Sequence, residues 1–238
     1  MSCNKTTRSG CQSFPKAGIL AINSNLSLND LKKKVAKTSP AMVYCYIVRS
    51  IKTNNGISVQ KGCGPNWQGG LITLCTCKHY MRTFFDHDAW KGKWIAGFTS
   101  KSDGVNGRNA LIYLMKVKVA FESHYDLWNA LSVRAREAKA ADRSFYGDVF
   151  RPREHLITFN KHDPFMYYQP EAHAHLDYDG WQKDISYKYH NRYAALLVGD
   201  KKNSFLWNSP CIVAQDRLAR GQKKISLNNL FGTFLGNA

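Results

Sequence analysis

Acidic residues are scarce in this chain: 17 Asp and Glu stand against 34 Lys and Arg, a formal net charge of +17 over 238 residues. A compact state with that imbalance repels itself and a polyanion relieves the repulsion, so nucleic acid, DNA first, is the expected partner. A basic surface kept for solubility stays open beside it. No apolar run of about 20 residues and no lipidation signal is found, which sets a membrane aside. There is no Walker, Rossmann or kinase signature and no internal repeat, so P-loop chemistry and solenoid architecture lack support. Seven cysteines, at positions 3, 11, 45, 63, 75, 77 and 211, make no regular framework, and no secretory pattern opens the sequence. Reduced thiols and a cytoplasmic location are the expectation.

What is abundant is aromatic surface, with six Trp and twelve Tyr, enough for a core without disulfide staples. Residues 1–40 differ from the rest: seven Lys or Arg face one acid, Asp30, and the first sixteen residues show little apolar pattern. They read as a basic N-terminal arm. Within it Ser27 and Asp30 have capping-box spacing ahead of Leu28, Leu31 and Val35, predicting a helix of about ten residues that ends before Pro40. Residues 42–49, rich in β-branched and aromatic side chains on both parities, predict a strand buried on both faces.

Residues 52–70, dense in Gly and Asn, read as a long loop in which Asn66 could read a base edge and Trp67 could stack; a disordered tip is the alternative. Residues 92–99 and 109–119 predict an antiparallel pair, followed by helices near 121–129 and 133–142, the second with its polar face to solvent. From Tyr146 to about residue 184 no period is sustained. Closing strands near 193–198 and 205–207, and a helix carrying Leu227, Leu230 and Phe234, complete an α+β fold. Its central sheet is mostly antiparallel, with barrel-like closure as one form, and flanking helices surround it. The expected organisation is a single domain over 41–238 behind the arm.

The chemistry concentrates in residues 69–82 (GGLITLCTCKHYMR), a glycine pair, a short apolar strand, then a thiol, an amine, an imidazole and a guanidinium. A short helix over 79–85 would place Lys78 and Arg82 on one side of its start, an anion clamp suited to phosphate. In that field Cys77 would have some nucleophilic character, although a structural thiol is the plainer reading. Cys75, Cys77 and His79 lack zinc-knuckle spacing and no metal site is assigned to them. His173, His175 and Asp177 alternate on an extended stretch but read as an exposed polar loop. Asp148, an isolated acid between Gly147 and the cations Arg151 and Arg153, is the first candidate acid or base, with Glu122 as a second. Tyr167, Tyr168, Tyr178, Trp181, Tyr187 and Tyr189, interleaved with Lys183, Lys188, His190 and Arg192, could stack bases or roof the core.

Several of these motifs fall in a familiar order: residues 43–49 (VYCYIVR), Gly64-Pro-Asn66, the Gly69-Gly70 pair, 73–78 (TLCTCK) with Arg82, 94–97 (WIAG), 111–117 (LIYLMKV) and 146–150 (YGDVF). Over residues 42–235 the chain resembles the second type of nucleotide-modification-associated domain of bacteria and phages. That resemblance implies an α+β domain linked to DNA base modification and supplies no catalytic scheme or cofactor. The expected function is therefore action on, or recognition of, DNA with modified bases in phage–host conflict. The enzymatic form would extrude a base and remove or modify it, a reader form would only bind, and an RNA-binding or toxin-like effector is a third class.

Overall fold

A computed structural model describes residues 12–13, 23–36, 41–154, 159–170, 180–219 and 221–238. A two-residue strand β1 (Gln12–Ser13) comes first, then helix α1 (Leu28–Val35). Ser27 caps α1 by accepting from the Asp30 N–H at 3.2 Å while its hydroxyl donates to the Asp30 carboxylate, and Leu28, Leu31 and Val35 are buried, as the spacing requires. Strands β2 (Met42–Ile47), β3 (Ile51–Asn54), β4 (Ile57–Gln60) and β5 (Thr73–Leu74) follow, then the single turn α2 (His79–Arg82), β6 (Trp94–Phe98) and β7 (Leu111–Phe121). Helices α3 (His124–Ala130), α4 (Val133–Lys139) and α5 (Gln182–Ser186) precede β8 (Lys188–Tyr189), β9 (Arg192–Tyr193) and β10 (Leu196–Leu206). The chain closes with β11 (Ile212–Ala214), β12 (Gln222–Ser226), α6 (Leu227–Asn229), a π-helical turn over Leu230–Phe234 and β13 (Leu235–Asn237).

Six strands form the main sheet in the order β12-β2-β6-β7-β10-β5, antiparallel throughout except for the β2–β6 pair. The fold is thus mixed helix and strand around a mostly antiparallel sheet, as expected. The sheet is open, with β12 and β5 as its ends, and does not close into a barrel. Parallel neighbours cannot be joined by a tight turn, so the chain between β2 and β6 must cross a face of the sheet. That crossover carries β3, β4, β5 and α2, and its Val48, Ile51, Trp67, Ile72, Met81 and Trp90 pack on Tyr44, Tyr46, Ile95, Ile112 and Met115. The opposite face, with Val43, Cys45, Trp94, Ala96 and Leu114, is covered by α1 and by Leu227, Leu230 and Phe234. Alternate residues of β2 therefore feed separate cores, which is why both parities are apolar.

Gly97 is required where it stands: a Cβ there would lie 2.1 Å from the Tyr113 ring and 2.7 Å from Val48. The missing side chain lets Tyr113 lie across β6, and its hydroxyl meets that of Tyr46 at 2.8 Å.

Several expectations are corrected. The stretch 52–70 is not one loop, because β3 and β4 form an antiparallel hairpin whose turn residues Asn55 and Gly56 both have positive φ, 48° and 74°. β7 runs to Phe121, so the helix expected from there begins only at His124 behind its cap Ser123, and its first-turn acid is Asp126. Strand β10 is longer than residues 193–198, reaching Leu206 and absorbing the separate strand expected at 205–207. Tyr178, His173, His175 and Asp177 lie outside the described residues, as do most of residues 1–40.

Candidate nucleic-acid interface

Strand β5 sits at the sheet edge, where alternate side chains serve two environments. Ile72 and Leu74 enter the core beneath the crossover, whereas Cys75 lies with Leu127, Val149 and Leu196 on the other side. On that second side Thr73 donates its hydroxyl to Asp148, 2.8 Å from the nearer carboxylate oxygen, and accepts from Lys139 Nζ at 2.9 Å. Lys139 also donates to the backbone carbonyl of Asn66 at 3.3 Å and to its Oδ1, while Asn66 Nδ2 donates to the Tyr146 carbonyl. Asn66, Thr73, Cys75, Lys139 and Asp148 are all buried.

Burial brings the Lys139 ammonium down to about 8, against the opposing pull of Asp148 and Cys75. It also raises the Cys75 thiol, and the Asp148 carboxylate adds to the rise. The turn that delivers Asp148 depends on Gly147, where a Cβ would fall 2.6 Å from the Ala140 backbone. Asp148 is thus an internal pin between the 66 loop, the sheet edge and the end of α4, and it is sealed from solvent. Glu122, the other candidate acid or base, is exposed and its charge acts on Lys161 and His162.

Arg82 is also turned inward. Its Nε donates to the Cys77 carbonyl at 2.8 Å and its Nη1 to the carbonyls of Ala194 and Ala195 at 3.0 and 2.8 Å, with no side-chain surface exposed. The expected clamp with Lys78 does not form. Because α2 is one turn long, Lys78 precedes it in the left-handed region, φ 58°, and its Nζ reaches the Gly221 carbonyl at 3.2 Å and the Tyr46 ring at 5.3 Å. Trp67, expected to stack on a base, is core, with its indole N–H donating to Gln60 at 2.9 Å. Asn66 is equally occupied within the fold.

What faces outward at this place is an aromatic and cationic surface. His79 bonds to the buried carboxylate of Asp184 through Nε2 and stacks on Tyr187, ring centroids 5.1 Å apart. Tyr80 meets Tyr189 edge-on at 5.0 Å and Phe84 at 5.2 Å; Tyr80 is 46% exposed and Tyr189 41%. Arg192 caps the Thr83 and Phe84 carbonyls at 3.2 and 3.1 Å and pairs with Asp86 at 3.4 Å; Lys183 and His190 are exposed, and the exposed Lys188 lies over the Tyr193 ring at 5.1 Å. Behind α5, Phe150, Tyr167, Trp181 and Ile185 form a small core, so Tyr167 and Trp181 roof the fold. On its far side Arg151 and Arg153 lie over the ring of Tyr168 at 4.9 and 5.6 Å, with Arg151 also paired to Glu154 and Asp142.

Cys77 is half-buried beneath this surface. A hydrogen bond from the Cys63 thiol lowers its pKa, and Arg82 and Thr76 act the same way, while burial and Asp184 oppose them. It does not converge with Cys75, which lies in the other core. Among the described residues no group of three or more His, Cys, Asp or Glu is placed to hold a metal, and no helix is long and apolar enough to cross a membrane.

The residues missed from sequence are Lys139, Asp184 and Cys63. Lys139 lay in an Ala-rich charged helix whose polar face was expected in water. Asp184 lay in a stretch without period, and Cys63 in a segment read as loop. The chain matches no known protein family, no curated protein and no solved structure.

Proposed function

We propose that this chain binds DNA carrying modified bases, in phage–host conflict, and that it does so as a reader through the face built on His79. The observation that carries this reading is the pair of exposed rings, Tyr80 and Tyr189, held beside His79 and Tyr187, with the exposed cation Arg192 against the Phe84 carbonyl next to Tyr80. Rings of this kind give bases a stacking surface and cations meet phosphates, the pairing that binding to single-stranded or extruded bases requires. The modified base as target comes from the resemblance of residues 42–235 to the nucleotide-modification-associated domains. The reader form is favoured over the enzyme because Asp148 and Asp184 are committed inside the fold and Glu122 is an exposed carboxylate acting on Lys161 and His162.

A second, enzymatic reading is favoured by one observation, the lowered pKa of Cys77 under the same face, which would make it a nucleophile. Incubation with modified and unmodified phage DNA, followed by nucleoside mass spectrometry, separates the two. The reader leaves every nucleoside mass unchanged and binds the modified DNA more tightly. A mass change that disappears in Cys77→Ser would establish the enzyme instead.

A further inference from the structure

Two thiols meet under the interface. Cys63 Sγ lies 3.1 Å from Oγ1 of Thr76, the residue before Cys77, and the two thiols are close enough for each to shift the other's pKa. Gly64 makes room for the approach: a Cβ at that position would already sit 3.2 Å from Cys77 Sγ. Both cysteines are free and neither is fully buried, so a small reagent can reach them. The other described thiols are differently placed. Cys45 and Cys75 are fully buried in separate cores, and Cys211 lies against the Leu26 carbonyl at 3.6 Å.

We propose that Cys63 and Cys77 are a reversible disulfide pair, closed by a low-molecular-weight disulfide such as oxidised glutathione and reopened by a thiol. Cys77 as thiolate attacks one sulfur of the reagent, forming a mixed disulfide and expelling one glutathione thiolate. Cys63, deprotonated in its turn, then attacks Cys77 Sγ and expels the second glutathione thiolate. The two protein thiols are oxidised by two electrons, the reagent is reduced to two thiols, and the two protons pass to these. The guanidinium of Arg82 favours the attacking thiolate, and the neighbouring Cys63 thiol is positioned to resolve the intermediate. The closed bond ties the segment leading into Asn66 to the one leading into Lys78 and His79, so it fixes the rear of the aromatic face.

The test uses the full chain equilibrated over a range of reduced-to-oxidised glutathione ratios, alkylated, denatured and mapped by peptide mass spectrometry. The expected result is a peptide pair linking Cys63 to Cys77, two mass units lighter than the separate thiols, at ratios where Cys45, Cys75 and Cys211 still alkylate after denaturation. In Cys63→Ser, Cys77 should instead accumulate as the glutathione mixed disulfide. The proposal is overturned if both thiols stay reduced at ratios that oxidise other cysteines, or if either links to Cys3, Cys11 or Cys211 in preference. These readouts do not involve DNA, so they stand or fall separately from the function proposed above.

Discussion

At the scale of single residues, Lys139 and Asp148 are buried opposite charges linked through the Thr73 hydroxyl, with Asn66 taking the remaining Lys139 hydrogen bonds. Removing one partner strands the other, so Lys139→Met should cost about 3 kcal/mol or more in chemical denaturation. Asp148→Asn should cost less, and the double variant should be less destabilised than the two single losses added. The pH dependence has a definite sign. The folded pKa of Lys139, about 8, lies below its ordinary 10.5, so the unfolded chain holds more protons between those values. The stability of the wild type relative to Lys139→Met should therefore rise as pH increases from about 8 towards 10.5, and denaturation at several pH values checks it. Asp148 was legible as an unusual acid, but its partner was not. A lysine among alanines and arginines looks solvated until the 66 loop and the 148 turn dock over it, and that docking is tertiary. Asn66 and Trp67 misled for the related reason that small residues around them suggested an exposed loop, whereas the segment crosses the sheet face and is covered.

At the scale of elements, local signals decided what could be read. The cap at Ser27 and the apolar spacing of α1 were plain, and Ser27→Ala should destabilise the fold by about 1 kcal/mol in thermal or chemical unfolding. The β6–β7 pair was legible because its connection is too short for a crossover. The β3–β4 hairpin was missed although Asn55-Gly56 followed by Ile57 and Val59 is a strong hairpin signal; the density of Gly and Asn beyond it obscured the alternation. Gly97 gives an element-scale prediction. Gly97→Ala drives a methyl into Tyr113 and Val48 and should lower stability by roughly 1–3 kcal/mol through overpacking, with the Tyr46–Tyr113 contact disturbed in tyrosine fluorescence or NMR.

At the scale of the molecule, charge is sorted between interior and surface. The fully charged types buried among the described residues are Arg82 and Lys139 on one side and Asp148 and Asp184 on the other, so the buried charges balance and the surplus of Lys and Arg among the described residues lies outside the core. In the proposed function DNA neutralises that surplus and the exposed rings supply a stacking surface. Tyr80→Ala with Tyr189→Ala should weaken DNA binding about tenfold or more, at roughly 1–3 kcal/mol per stacked base, without changing the melting temperature much, because both rings are exposed.

The most direct measurement is the affinity of the full chain for matched modified and unmodified DNA, by fluorescence anisotropy across a salt series. Binding should weaken steeply with rising salt, favour the modified DNA at every salt concentration, and lose that preference in the Tyr80→Ala, Tyr189→Ala variant. Affinity that is independent of salt, or equal for the two DNAs and untouched by the tyrosine changes, would contradict the assignment of this face.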